Sequence, residues 1–121
     1  MIKISKEEYA ARLALYERLM KAFPKIPRKG ATMPYTSLNG HMFSFLAKDG
    51  RLSLRLPESE RVAFLQQYDT ELSKQYGSVM KEYVIVPDDM LHDLTALKAY
   101  FQCSIEYTAS LKPKPSKKKK R

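Results

Sequence analysis

The chain has 121 residues and a net charge of +9, and hydrophobic residues make up 44% of it. This length allows one domain, and the hydrophobic content excludes a globally disordered chain because it suffices for a packed core. A single cysteine excludes an intramolecular disulfide and favours a reducing compartment, and we find no apolar run suited to a signal peptide or a bilayer span, so we expect a cytoplasmic protein.

The first predicted element is an amphipathic helix that begins after Ser5. Ser5 and Glu8 have the spacing of a capping box, in which the hydroxyl accepts from the Glu8 amide and the Glu8 carboxylate reaches back. Pro24 and Pro27 should end the helix. One face of it is apolar at spacings of four and three, with Tyr9, Leu13, Tyr16, Met20 and Phe23.

Two turn signals divide the next segment into a three-strand meander that begins with a short strand over residues 35–38. Asn39-Gly40 and Asp49-Gly50 each favour the positive φ angles of a type I′ hairpin turn. In the middle strand the period of two predicts one face with Phe43, Phe45 and Ala47 and another with Met42, Ser44 and Leu46. In the third strand, polar residues alternate with Leu52, Leu54 and Leu56.

The second half of the chain contains two further helices and a strand. Pro57 can begin a helix that we expect to end near Tyr68, whereas residues 69–77 show no clear pattern. Residues 80–86 favour a strand, and a helical turn begins at Pro87-Asp88-Asp89. The inner face of a long last helix is marked by Leu94, Leu97, Phe101, Ile105 and Leu111.

This order of elements indicates an α+β fold in two layers, an antiparallel sheet with helices chiefly on one face. The single domain is predicted over residues 1–111, and a disordered basic tail over residues 112–121. The expected core includes Tyr9, Leu13, Phe43, Phe45, Leu52, Leu54, Phe101 and Ile105.

The stretch from residue 38 onward resembles the N-terminal domain of the TfoX/Sxy family, which includes bacterial regulators of natural competence. The resemblance rests on Asn39-Gly40-His41-Met42-Phe43-Ser44-Phe45, on Asp49-Gly50-Arg51-Leu52-Ser53-Leu54-Arg55-Leu56-Pro57, on Val79-Met80-Lys81-Glu82-Tyr83-Val84-Ile85-Val86-Pro87 and on Leu111-Lys112-Pro113-Lys114-Pro115. It implies a two-layer α+β domain similar to secretion-chaperone folds, and a regulatory role without catalysis.

Most of the positive charge lies in the tail. Residues 112–121 carry seven basic residues and no acidic one, which leaves +2 for residues 1–111. Such a tail can bind nucleic acid by neutralising phosphates, without sequence preference because it offers no aromatic ring for stacking. It can equally be a solubilising end. Its charged residues are Lys112, Lys114, Lys117, Lys118, Lys119, Lys120 and Arg121.

Beside the core stripe of the last helix lie Tyr100, Tyr107 and Leu111. These side chains either widen the packing against the sheet or form an apolar strip for a protein partner or a homodimer. We therefore predict a non-enzymatic binding or regulatory adaptor module that acts through protein contacts. Nucleic-acid association through the tail is the alternative.

Catalytic and metal-binding interpretations are less favoured. The sequence holds no recognisable catalytic motif, and a small enzyme would have to build its site around His41. Acidic residues near His92 are explained by the dipole of a helix N-terminus, so we predict no metal and no cofactor; those residues are Asp88, Asp89 and Asp93. Cys103 is predicted to face outward, about 180° from the inner stripe.

Overall fold

The computed structural model describes residues 4–30, 33–75 and 77–113. The elements in these ranges are α1 (Lys6–Lys21), β1 (Tyr35–Leu38), β2 (His41–Leu46), β3 (Leu52–Arg55), α2 (Glu58–Gln67), β4 (Leu72–Gln75), β5 (Ser78–Ile85), α3 (Asp88–Leu91) and α4 (Leu94–Ser110). The five strands form one antiparallel sheet in the order β1-β2-β3-β5-β4. The predicted α+β class is confirmed. Residues 114–121 of the predicted tail lie outside the described ranges.

One hydrophobic core joins the helices to one face of the sheet. Phe101 on α4 and Phe64 on α2 are fully buried in it, together with residues of β2, β3 and β5. Three residues predicted in the core are only half-buried at its edge, because they lie on the flanks of their helices; they are Tyr9, Leu13 and Ile105. The strand residues of the core include Phe43, Leu46, Leu52, Leu54 and Val84.

A β-bulge in β2 overturns the predicted alternation of that strand. The pairing of β1 with β2 shifts register between Thr36 and Ser37, so that Phe43 is an extra residue in β2. A bulge places two successive side chains toward the same face. Phe43 and Leu46 therefore lie in the core with the helices, whereas Phe45 is buried on the opposite face, against the ring of Tyr83.

The two hairpin turns differ from each other. Asn39 and Gly40 have φ angles of 56° and 81°, so the tight turn predicted between β1 and β2 is confirmed. In the second turn only Gly50 has a positive φ, of 84°. There the amide of Gly50 donates to the carbonyl of Ala47 at 2.9 Å, which makes a longer connection than the predicted two-residue turn.

Strand β4 was not predicted from the sequence pattern. Three of its four residues have a partner in β5, and the register shifts between Leu72 and Lys74. A short, irregular edge strand leaves no alternating pattern of apolar residues. Its one buried side chain is a serine, Ser73, which accepts a hydrogen bond from Ser53 at 2.9 Å.

Helix α1 begins with half of the predicted capping box. The hydroxyl of Ser5 accepts from the amide of Glu8 at 3.0 Å, but the Glu8 carboxylate pairs with Arg12 at 2.7 Å instead of reaching back. The guanidinium of Arg12 also donates to both carboxylate oxygens of Asp88 at the start of α3, at 2.9 and 3.1 Å. These hydrogen bonds hold the first half of α1 against α3.

A chain of three buried hydroxyls links α1 to the sheet. The hydroxyl of Ser44 lies 2.7 Å from that of Tyr16 and 2.6 Å from that of Thr36. All three side chains are fully buried, and burial raises the pKa of Tyr16 to about 12. The middle of α1 is thereby fixed over strands β1 and β2.

None of the helices in the described part of the chain is both long enough and apolar enough to cross a membrane.

Candidate interaction surface

The chain segment after α1 turns back toward α4. Pro24 and Pro27 prevent the helix from continuing, and the amide of Ile26 donates to the carbonyl of Phe23 at 2.9 Å to close the turn. The ring of Phe23 then lies 4.8 Å from that of Phe101, centroid to centroid. This contact fixes the segment beside the second half of α4.

A shallow apolar groove of about 360 Å³ opens between this segment and α4. Phe23, Ile26 and Ile105 supply most of its apolar lining, and each of them is half-buried against the core. The remaining lining residues are Ala22, Pro24 and Lys25. Among the residues that the structure describes, Lys25 is thus the one charged side chain in the lining.

The chain around the groove is strongly basic. Residues 18–30 contain five basic residues and no acidic one. One of them, Arg28, is paired with Glu17 at 2.8 Å. All five residues are exposed, although the ion pair partly buries the side chain of Arg28. They are Arg18, Lys21, Lys25, Arg28 and Lys29.

The end of α4 is held by the hairpin between β1 and β2. The side-chain amide of Asn39 donates to the carbonyl of Ala109 at 3.3 Å, and Nε2 of His41 donates to the carbonyl of Lys112 at 2.8 Å. Both acceptors lie at or just beyond the last turn of α4, within seven residues of Ile105. The basic tail therefore begins near the groove.

The predicted partner strip is occupied by contacts within the chain. The ring of Tyr100 meets that of Phe64 edge-on at 4.8 Å, and burial raises the pKa of Tyr100 to about 12. Its hydroxyl lies 3.2 Å from that of Tyr68. Leu111 is half-buried at the end of α4. These contacts agree with the first of the two predicted roles, in which the strip widens the packing within the chain. The second role, binding of a partner by this strip, stays a prediction.

Tyr107 belongs to a polar cluster between α4 and the sheet. Its hydroxyl donates to the Glu82 carboxylate at 3.1 Å, and Arg55 donates to the same carboxylate at 2.7 Å. The Arg55 guanidinium also lies over the rings of Tyr83 and Tyr107, at 5.7 and 5.9 Å. Burial acts to raise the pKa of Glu82, but the two donors and the charge of Arg55 outweigh it, so that this pKa is lowered.

Replacing Glu82 with glutamine should make the stability of the protein less dependent on pH in acid. A carboxylate with a lowered folded-state pKa stabilises above its unfolded pKa, and this contribution disappears as pH falls through the folded value. The pair is partly exposed, so we expect a difference below about 1 kcal/mol at pH 7. Urea titrations of both proteins should show a smaller difference at pH 3 than at pH 7. An equal difference at both values would exclude a contribution from the Glu82 charge.

The structure places the other candidate residues in ordinary structural roles. Among the described residues, no group of three or more His, Cys, Asp or Glu side chains could hold a metal ion. Asp93 caps α4 through the amide of Ala96 at 3.2 Å, and Nδ1 of His92 lies 3.0 Å from the carbonyl of Asp88. The ring of His41 binds the end of α4, as described above.

Cys103 does not face outward as predicted. It is half-buried against the core, because α2 packs on the flank of α4 that carries Tyr100. Burial, together with the charges of Glu60 and Glu106, raises the pKa of its thiol. A raised pKa disfavours the thiolate that a nucleophile would require.

The groove could not be predicted from the sequence, in which Phe23 and Ile105 belong to the apolar faces of two separate helices. The available signal was local: Phe23 and Ile26 alternate with prolines and lysines just beyond a helix end. Comparison of the chain with protein-family models, curated proteins and solved structures gave no match.

Proposed function

We propose that this protein is a non-enzymatic binding module of the regulatory adaptor kind, which acts through protein contacts at the groove between the segment after α1 and α4. The observation that carries this proposal is an exposed apolar concavity in a strongly basic surrounding. Its apolar lining comes from Phe23, Ile26 and Ile105. Exposed apolar patches rimmed by polar residues are typical of contact sites.

A role in binding suits the chemistry of the lining. Apart from Lys25 the groove is lined by aliphatic side chains, proline and one phenylalanine, none of which can exchange a proton or act as a nucleophile. The resemblance to the TfoX/Sxy N-terminal domain supports a regulatory role. The single cysteine supports a cytoplasmic site of action.

Photo-crosslinking in the cells that produce the protein tests this function. A photoreactive amino acid in place of Lys25 should give a discrete polypeptide adduct, and Ile105→Glu in the same chain should abolish it. The matched control carries the photoreactive residue in place of Lys48, an exposed lysine in the turn between β2 and β3, and should give no such adduct. If the Lys25 position yields no adduct, or one that persists in the Ile105→Glu variant, the groove is not the binding site.

A further inference from the structure

We propose that the natural occupant of the groove is an acidic amphipathic helix of a partner protein, and that the basic tail contacts the same helix. This inference rests on the proposed function and deepens it by naming the chemistry of the partner. It follows from three properties of the chain: the apolar floor of the groove, the charge of the segment beside it and the place where the basic tail begins.

The floor fits aliphatic or aromatic side chains from one face of a helix. At about 360 Å³ the groove can take more than one such side chain, and α4 contributes Ile105 to its lining. Helices that dock in apolar grooves present anchors at spacings of three and four residues. A partner helix with this spacing can insert successive anchors beside Phe23 and Ile26.

The charge around the floor favours acidic residues on the flanks of that helix. Residues 18–30 carry five positive charges, of which Glu17 neutralises one at Arg28. The C-terminus of α1 contributes only about half a negative charge through the helix dipole. The segment on this side of the groove is therefore net positive. Glu106, which follows Ile105 on α4, offsets one of these charges. The remaining positive charge attracts carboxylates.

Other occupants fit these features less well. Single-stranded nucleic acid stacks its bases on free aromatic faces, whereas the ring of Phe23 is packed on Phe101 at 4.8 Å. Duplex nucleic acid presents phosphates, which would use the basic residues but not the apolar floor. A membrane surface would need protruding apolar side chains, whereas Phe23, Ile26 and Ile105 are half-buried against the core. The chain's own tail contains only prolines, serine and basic residues after Leu111. A second copy could offer only isolated apolar side chains, because the exposed large apolar residues in the described part of the chain are Val62 on α2 and Val79 on β5.

The tail can add a second contact with the same helix. Residues 112–121 carry seven basic side chains, and the hydrogen bond from His41 to the carbonyl of Lys112 fixes their starting point at the groove end of α4. A contact tethered in this way acts at a high effective concentration. The affinity of the full chain for an acidic helix should therefore exceed that of the groove alone.

A displayed library of amphipathic peptides provides the test. Each peptide has about five helical turns and apolar residues fixed at spacings of three and four. All the remaining positions are drawn equally from Glu, Lys, Gln and Ser. Selection against the full-length protein should enrich Glu over Lys. The selected peptides should lose about tenfold or more in affinity for Ile105→Glu and for Lys25→Glu, but not for Val62→Glu, an exposed control.

The outcomes separate this inference from the proposed function. If the selected peptides depend on the groove but are not enriched in Glu, the proposal of an acidic helix is wrong. The proposed binding function is then still supported. If no selected peptide is sensitive to Ile105→Glu or Lys25→Glu, the helical occupant is overturned, and the proposed function is then decided by the photo-crosslink at Lys25. Lys25→Glu changes an exposed side chain, so a loss of binding there cannot be attributed to unfolding.

Three further measurements complete the test. Replacing residues 117–121 by serine in the full chain should weaken the best acidic peptide about tenfold at low salt and much less at high salt; an unchanged affinity would remove the tail from this contact. Labelled duplex DNA at physiological salt should bind weakly and without sensitivity to Lys25→Glu. Tight DNA binding that this variant abolishes, or a dimer in sedimentation that Ile105→Glu dissociates, would identify a different occupant and overturn the proposal.

Discussion

Replacing Phe101 with alanine should lower the free energy of unfolding by about 3–5 kcal/mol, the range for truncation of a buried aromatic residue. Phe101 is fully buried, and its ring lies 4.8 Å from that of Phe23 and 5.3 Å from that of Phe43. The loss therefore includes two aromatic contacts in addition to buried area. A domain of ordinary stability has roughly 5–15 kcal/mol in total, so this variant should be close to unfolding.

Chemical denaturation followed by far-ultraviolet circular dichroism measures this effect. Val62→Ala is the matched control, because Val62 is 48% exposed on α2 and its truncation should cost about 0.5 kcal/mol or less. Phe101→Leu should fall between the two, since it keeps most of the volume. A cost below about 1 kcal/mol for Phe101→Ala would mean that α4 is not packed on the sheet as described.

Replacing Ser44 with alanine should cost about 2–4 kcal/mol, although it removes a single oxygen atom. The Ser44 hydroxyl is the hydrogen-bond partner of both Tyr16 and Thr36, and all three groups are fully buried. Its removal leaves two hydroxyls without this partner, and each unsatisfied buried group costs about 1–3 kcal/mol. The free energy of unfolding from urea titration measures the loss.

Tyr16→Phe is the comparison that isolates the network. It removes one outer hydroxyl and leaves the hydrogen bond between Ser44 and Thr36 in place, so we expect a loss of about 1 kcal/mol. The Ser44 variant should be clearly the less stable of the two. Equal losses would show that Thr36 finds another partner when Ser44 is absent.

Both predictions concern the junction on which the proposed surface depends. Phe101 supports Phe23, which is part of the groove lining, and Ser44 fixes the middle of α1, whose end begins the basic segment. The charges themselves are exposed and contribute little to folding. Groove residues and core residues can therefore be distinguished experimentally, because Lys25→Glu should change binding without changing stability.

Local signals in the sequence were sufficient for much of the fold. The capping serine Ser5 and the prolines after Lys21 bounded α1 to within a few residues. Asn39-Gly40 located the first hairpin, since few other residue pairs adopt positive φ at two successive positions. The apolar period of β3 identified residues that face the core, and that of α4 did so for Leu97 and Phe101. Leu111, which was predicted on the same inner face, lies just beyond the end of α4 and is not part of the core. Strand β4 was not predicted, because an edge strand buries too few side chains to produce an alternating apolar pattern.

The bulge in β2 could not be predicted from the local sequence. Strict alternation would place Phe43 and Phe45 on one face, but the extra residue opposite β1 separates them. Nothing in the residues of β2 alone specifies the bulge, because it depends on the register with a neighbouring strand. Cys103 was misplaced for a similar reason, since its burial depends on where α2 packs.

The sequence by itself determined the class of fold, the helix ends, the first hairpin and the concentration of positive charge in the tail, because each of these depends on neighbouring residues only. Only the tertiary structure brought Phe23 and Ile26 together with Ile105, which is about eighty residues away in the chain. A groove formed by two distant segments leaves no periodic pattern in either one. In the sequence, each of its apolar residues resembles an ordinary core residue. Only the packing shows that they are half-exposed beside basic residues.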